Sequence, residues 1–276
     1  MPESPEVQAL VDELGERLDG RVLTAVDVLE FRVVKTRTRQ PSSLVGAQLT
    51  GTRRHGKLVD LIFGEQHLVV SLGRHGWARW GAADPLPDAP PVAPPALAML
   101  DFDDGTRLEW TDAGGWVSLA CSVVDAPAEV SAVAGLGPDP AHPDFTRADF
   151  DGAFVGRRKQ LKAVLQEQKS LAGIGNAYSD EILFAARLNP VAHATEVDAA
   201  SLDRLYEATT GVIREAIEAR RGIPISELKA AKVAAMQVHG RAGEPCPRGN
   251  GTILDFSFAS TTAQYCPACQ TDGAIL

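Results

Sequence analysis

One change of rhythm constrains this chain more than any other feature. Between Val22 and about Val124 the apolar residues recur at short, nearly alternating intervals; from Phe150 onward they recur at helical spacing. A period of two belongs to strands and a period near 3.6 to helices. The chain is therefore expected to divide into a strand-built half and a helix-built half, and its 276 residues suit about two domains. The expected class is α+β.

A single helix should precede the strands. Ser4 followed by Pro5 reads as a helix cap with proline at the first helical position. Val7, Leu10, Val11, Leu14 and Leu18 then repeat on one face, and Gly20 closes the run. Strand candidates follow at residues 22–28 and toward 52, and as two hairpins, 57–63 with 67–72 and 97–102 with 107–110. Many short strands joined by turns predict a β-sandwich or barrel over residues 1–124. The proline-rich stretch 84–95 reads as an exposed connector, and 125–144, rich in Ala, Pro and Gly, as a linker. Helices are expected near 155–165, 177–187, 199–219 and 225–238, in a domain spanning 145–238. A small module, 239–276, ends the chain.

Charge narrows the possible roles. The net charge of −9 and pI of about 5.2 argue against a general nucleic-acid binder, which is usually basic; a nucleic-acid reading needs a local basic face. No apolar run approaches the roughly 20 residues of a membrane helix, and the first residues lack the basic-then-apolar order of a secretion signal. The expected compartment is the cytoplasm. Three of the four cysteines, Cys246, Cys266 and Cys269, crowd the C-terminus. In a cytosolic chain the Cys266-x-x-Cys269 pair reads as metal ligands before disulfide.

Three stretches carry candidate chemistry. In Met1-Pro2-Glu3, proline at the second position permits removal of the initiator methionine, which leaves a secondary amine beside a carboxylate. Such an amine titrates near about 8, so part of it is a neutral nucleophile able to attack a sugar C1′ and form an iminium. The plainer reading is that Pro2 and Glu3 only lead into the helix. Arg53-Arg54-His55-Gly56-Lys57 is a dense basic cluster, either a phosphate clamp or a solvated turn. Gly173-Ile174-Gly175-Asn176 enters a helix and offers N–H groups and an amide to a phosphate, unless it is simply a glycine turn between helices.

Several motifs occur in a fixed order along nearly the whole chain: Pro2-Glu3-Ser4-Pro5-Glu6-Val7, Arg54-His55-Gly56-Lys57, Leu136-Gly137-Pro138-Asp139-Pro140, Lys162, and Gly173-Ile174-Gly175-Asn176-Ala177-Tyr178-Ser179-Asp180-Glu181. Gly240-Arg241-Ala242-Gly243-Glu244-Pro245-Cys246 and Tyr265-Cys266-Pro267-Ala268-Cys269-Gln270 close the series. Together they resemble the formamidopyrimidine-DNA glycosylase/endonuclease VIII family of base-excision repair enzymes. The resemblance implies an N-terminal β-sandwich, a helix–two-turn–helix domain, a C-terminal zinc-finger-like hairpin, and DNA bound in the cleft between domains. It implies that Pro2 is the Schiff-base nucleophile, Glu3 the acid/base residue and Lys57 a phosphate-binding lysine that supports elimination. Lys162 and Asn176, with Gly175 in the same turn, would contact DNA, as would Arg54. The implied protein is a monomeric DNA glycosylase with abasic-site lyase activity, acting on double-stranded DNA with a damaged base or an abasic site. A basic cleft made from residues 53–57 and 157–162 would offset the acidic total.

The chain departs from the family pattern at four places. The first zinc-binding pair is broken, Gly249 standing where a cysteine is expected, so Cys246, Cys266 and Cys269 need a fourth ligand. His239 or Asp255 is a candidate, Cys121 lies too far away in the fold, and a zincless finger held by packing is the other reading. The finger arginine would fall near Thr261, where there is no cation. The wedge arginines are absent from Asp112-Ala113-Gly114-Gly115-Trp116, which leaves Trp116 to stack on DNA or to lie buried, and Arg74 and His75 to probe the emptied stack. Residues 222–240 leave little room for a long loop over an oxidised purine. The weak finger and the missing wedge arginines favour, as the alternative, a non-catalytic binder of damaged DNA; a third reading is an abasic-site lyase with negligible base excision.

Overall fold

The alternating stretch folds as two four-stranded antiparallel sheets. The computed structural model describes residues 1–82, 94–249 and 251–276, so most of the expected connector at 84–95 lies outside the described residues. Two compact units emerge: one of Met1–Pro2, Glu6–Gly135 and Arg221–Leu228, the other of Glu3–Pro5, Leu136–Arg220 and Lys229–Leu276.

In the first unit, α1 (Ser4–Leu18) is followed by β1 (Leu23–Val28), β2 (Gly51–His55), β3 (Leu58–Phe63), β4 (Gln66–Ser71), β5 (Gly76–Ala82), β6 (Ala96–Phe102), β7 (Thr106–Asp112) and β8 (Ala120–Val124). The sheets run β1-β6-β7-β5 and β2-β3-β4-β8, and their inner faces share one core with α1. The apolar stripe of α1 explains its place: Val7, Leu10, Leu14 and Leu18 are fully buried. The helix lies so close to β2 that a Cβ on Gly15 would stand 2.8 Å from Thr52 Oγ1. The expected cap is not used, because the helix already includes Ser4 and the Ser4 hydroxyl makes no hydrogen bond. A short helix, α2 (Ser131–Ala134), sits in the expected linker.

A piece of the helical half belongs to this unit, and the boundary expected at 145–238 is corrected accordingly. Ile225 and Leu228 join the sandwich core. Trp77 Nε1 donates to Ile225 O at 2.9 Å, while Glu13 accepts from Ile225 N at 2.7 Å and from Trp80 Nε1 at 2.6 Å.

The second unit contains α3 (Arg147–Phe154), α4 (Leu161–Gln166), α5 (Asn176–Ala186), α6 (Ala199–Arg220) and most of α7 (Leu228–Ala235). Thr146 and Asp149 cap α3 reciprocally, each side chain accepting the other's N–H. The helix expected from residue 155 begins only at Leu161, since Val155 is extended and Gly156 turns at φ +74°. Phe150, Phe154, Leu161, Leu165, Ile174 and Ile182 are fully buried together. The terminal hairpin pairs β9 (Leu254–Phe258) with β10 (Thr261–Tyr265) and is followed by α8 (Pro267–Gln270).

Candidate active site and nucleic-acid interface

Glu3 is the most completely held side chain among the candidates. It is 2% exposed. One carboxylate oxygen accepts from Ala177 N at 3.0 Å and from Lys232 Nζ at 3.2 Å; the other accepts from Gly175 N and from Tyr178 N at 3.3 Å. Three of these donors are the orphan N–H groups at the start of α5, where the helix dipole also favours an anion. The Gly-x-Gly-Asn turn thus binds an anion as its pattern suggests, but the anion is Glu3, and the Gly175 N–H is aimed at that carboxylate rather than at DNA. Ser4 N donates to Gly173 O at 3.0 Å and fixes the chain just beyond. In sequence Glu3 follows directly on Pro2, which is buried behind an exposed Met1.

Lys162 requires a correction. It is fully buried, and its ammonium donates to Asn176 O at 3.1 Å, Ser179 Oγ at 2.7 Å and Asp180 Oδ1 at 2.6 Å. An ammonium has three hydrogens, so this set leaves none for a phosphate. Burial pushes its pKa down from the ordinary lysine range, against the opposing pull of Asp180 and Glu3. The neighbouring cations are also occupied: Arg157 and Lys159 both bond to Glu167, the latter at 2.6 Å. Burial raises the Glu167 carboxyl, and Lys159, Ser170 and Arg157 outweigh it to bring the pKa to about 2. Of the basic surface expected at 157–162, Lys162, Arg157 and Lys159 are therefore taken up in ion pairs, and Arg158 stays exposed.

Asn176 is half-buried at the first position of α5. Its Nδ2 donates to Thr262 O at 2.9 Å and its Oδ1 accepts from Gln166 at 3.1 Å, so the amide ties the hairpin strand β10 to α4. Asp180 also accepts from Gln264 N and pairs with His239 Nδ1 at 2.7 Å. Glu181 accepts the N–H groups of Gln237, Val238 and His239. Burial raises its carboxyl pKa against those bonds.

The first unit treats its candidates differently. Gly56 and Lys57 form the two-residue turn between β2 and β3, with Gly56 at φ +56°, a conformation glycine adopts without strain. Arg54 braces this turn, donating to Gly56 O at 2.8 Å and to Gln8 at 2.9 Å. At one end of the sandwich, Arg74, His75 and Trp116 are all exposed, Trp116 by 68%; a buried sandwich tryptophan is excluded. Ser118 Oγ accepts from Arg74 N at 3.0 Å and His75 N at 3.3 Å and donates to Asp112 at 2.8 Å. Burial pushes the Asp112 carboxyl up, but the N–H groups of Gly114, Ser118 and Leu119 with the Ser118 hydroxyl outweigh it and hold the carboxyl below the usual range. Gly73 is required where these loops meet: a Cβ there would lie 2.3 Å from Ser118 O.

The Sγ atoms of Cys246, Cys266 and Cys269 lie within 4.8 Å of one another and can hold a metal ion. Two turns of the same form present them, Gly249 N bonding Cys246 O at 2.8 Å and Cys269 N bonding Cys266 O at 3.1 Å. Gly249 occupies the corner equivalent to Cys269. The proposed substitutes do not complete the set among the described residues: His239 is held by Asp180, and Asp255 is exposed on β9. Burial and the adjacent thiols push Cys266 up to about 12.

Sequence reasoning missed Lys232, Asp112 and Asp180. The partners of Lys232 and Asp180 are remote in sequence, whereas those of Asp112 lie two to seven residues on, in a loop with no motif to mark them.

Comparison with known proteins gives a consistent result. Residues 1–116 match the formamidopyrimidine-DNA glycosylase N-terminal domain and residues 136–226 the formamidopyrimidine-DNA glycosylase H2TH domain. The formamidopyrimidine-DNA glycosylase of Heliobacterium modesticaldum is 33% identical, with 98% of this chain and 100% of the relative covered. That of Mycolicibacterium gilvum is 32% identical, with 98% of each covered. Wild-type Lactococcus lactis Fpg (MutM), solved with DNA containing N7-benzyl-Fapy-dG, aligns with a TM-score of 0.86 at 25% identity, over 98% of this chain and 100% of that one. Among the described residues, no helix is long and apolar enough to cross a membrane.

Proposed function

We propose a reaction from this premise: the chain belongs to the formamidopyrimidine-DNA glycosylase family. It removes a damaged base from duplex DNA through a Schiff base on Pro2 and then cuts the strand by elimination. The observation that carries this reading is the Glu3 carboxylate, next in sequence to Pro2 and held by four donors. Such a set suits the ionised form, so Glu3 begins the reaction as a proton acceptor and as the counter-charge for a developing iminium.

The damaged nucleotide leaves the stack at a cost of a few kcal/mol. Trp116, Arg74 and His75 occupy the gap it leaves. The neutral Pro2 nitrogen attacks C1′ as the glycosidic bond breaks and the base leaves; the nitrogen gives up its proton to Glu3, the C1′–O4′ bond opens with that proton passing to O4′, and the resulting iminium acidifies C2′ for elimination. Lys57, at its hairpin tip, meets a phosphate beside the lesion, with Arg54 holding the turn in shape. The second hydrogen of Asn176 Nδ2 is directed to another phosphate. Cys246, Cys266 and Cys269 would hold one structural zinc ion together with a fourth ligand from outside that set; metal analysis of the purified protein should find one zinc per chain.

The reaction is tested by borohydride reduction on a duplex with an abasic site. The chain processed to Pro2 should form a covalent adduct, and the same chain with an uncleaved N-terminal extension should not. No adduct from the processed chain would favour a non-catalytic binder of damaged DNA. An adduct without base release from damaged duplexes would favour an abasic-site lyase.

A further inference from the structure

We propose that Lys232 is a positioning residue for the Glu3 carboxylate, an inference that rests on the catalytic reading of Glu3 given above. Lys232 lies on α7, and its Nζ stands 3.2 Å from Glu3 Oε1. The pair is enclosed, with Lys232 14% and Glu3 2% exposed at the side chain. The ammonium sits 5.0 Å from the centre of the Tyr178 ring, close enough for cation–π attraction. Tyr178 is itself buried and gives its N–H to the same carboxylate. The ring therefore seats the cation on the group that the backbone has already oriented.

Lys162 does not perform this task, although it lies near enough for its charge to be felt by Glu3. Its three hydrogens are directed at Asn176, Ser179 and Asp180. The backbone donors belong to α5 and are set by the fold, whereas Lys232 arrives from a different helix. Without this cation Oε1 would keep the Ala177 N–H but lose its ammonium donor, and the buried carboxylate would turn and be misplaced as a proton acceptor. Lys232 acts through Glu3 and is not assigned a contact with the reacting atoms.

The experiment compares Lys232→Met, Lys232→Arg, Glu3→Gln and the double variant Glu3→Gln/Lys232→Met. Base release is measured in single turnover on a saturating duplex carrying a formamidopyrimidine form of dG. Affinity is measured on a duplex with the unreactive tetrahydrofuran abasic analogue. Lys232→Met should slow base release by about 30-fold or more, as expected for truncating one partner of a buried ion pair, with affinity changed by less than about threefold. Adduct formation at a ready-made abasic site should be less affected in both Lys232→Met and Glu3→Gln. Lys232→Arg should recover most of the rate, and the double variant should be no more than about twofold slower than Glu3→Gln. A loss confined to affinity, an unchanged rate, or multiplicative losses in the double variant would overturn the proposal. If the parent chain releases no base, the catalytic reading fails separately. The double-mutant cycle on thermal stability then decides whether the pair is coupled, and additive losses there also overturn the proposal.

Discussion

The candidate DNA-binding cations of the two units are used in opposite ways. In the helical unit, Lys162, Arg157 and Lys159 all face carboxylates, Asp180 for the first and Glu167 for the others. In the sandwich unit, Arg74 and His75 stand in solvent beside the exposed Trp116, while Arg54 braces the turn that carries Lys57. A lysine on an apparently basic helix is here a structural ion, and cations on unremarkable loops are the ones left facing solvent. Sequence charge locates neither use; burial and the nearest carboxylate decide between them.

The largest expected effect would break the comparison if it failed. Lys162→Met leaves Asp180 buried with one cation fewer and should destabilise the helical unit by about 3–5 kcal/mol, measured by denaturant unfolding. The salt dependence of DNA affinity should remain that of the parent in the folded fraction. Unchanged stability with a flatter salt slope would return Lys162 to the DNA surface.

Asp112→Asn is the counterpart in the sandwich unit. Asp112 joins the two loops that carry Arg74, His75 and Trp116, and losing its charge should cost about 1–3 kcal/mol. Its carboxyl is held below the usual range in the folded state, so its contribution is complete above the unfolded carboxyl pKa of about 4 and is lost as pH falls through the lower folded value. The parent should therefore lose stability in acid more steeply than Asp112→Asn. Parallel stability–pH curves would mean that the loops are held by packing alone.

Much of this fold is legible in the sequence, because its signals are local. The stripe Val7, Leu10, Val11, Leu14 and Leu18 names the buried face of α1, alternation finds the hairpins, and Gly173-Ile174-Gly175-Asn176 marks an anion-binding helix start. What escapes reading is long-range. Nothing near Lys162 announces Asp180 eighteen residues on, and nothing near Glu3 announces Lys232 on α7. The strand β5, with Ala78 and Arg79 between its tryptophans, lacks a clean alternation, and the entry of Ile225 into the sandwich core depends on Trp77 and Glu13. The basic run at 157–162 misleads because side-chain charge is local while its neutralisation is tertiary.

Smaller effects sharpen the contrast on the solvent side. Trp116→Ala should leave stability within about 0.5 kcal/mol, yet weaken binding to the tetrahydrofuran duplex by about 1–3 kcal/mol through lost stacking. Equal affinity would remove Trp116 from the interface. Arg74→Ala should likewise spare stability and flatten the slope of log affinity against log salt by about one unit. A slope that does not change would mean that Arg74 contacts no phosphate.

Peptide mass spectrometry of the borohydride-reduced adduct identifies the amine that forms the imine. A buried lysine with a lowered pKa is a recognised way to make an imine-forming amine, so Lys162 is the natural rival to the chain terminus. The structure gives its ammonium three acceptors and full burial, whereas Pro2 precedes a carboxylate fixed at a helix start. The reduced sugar is expected on the nitrogen of an N-terminal Pro2 and on no lysine. Attachment to Lys162 or Lys57 would contradict it.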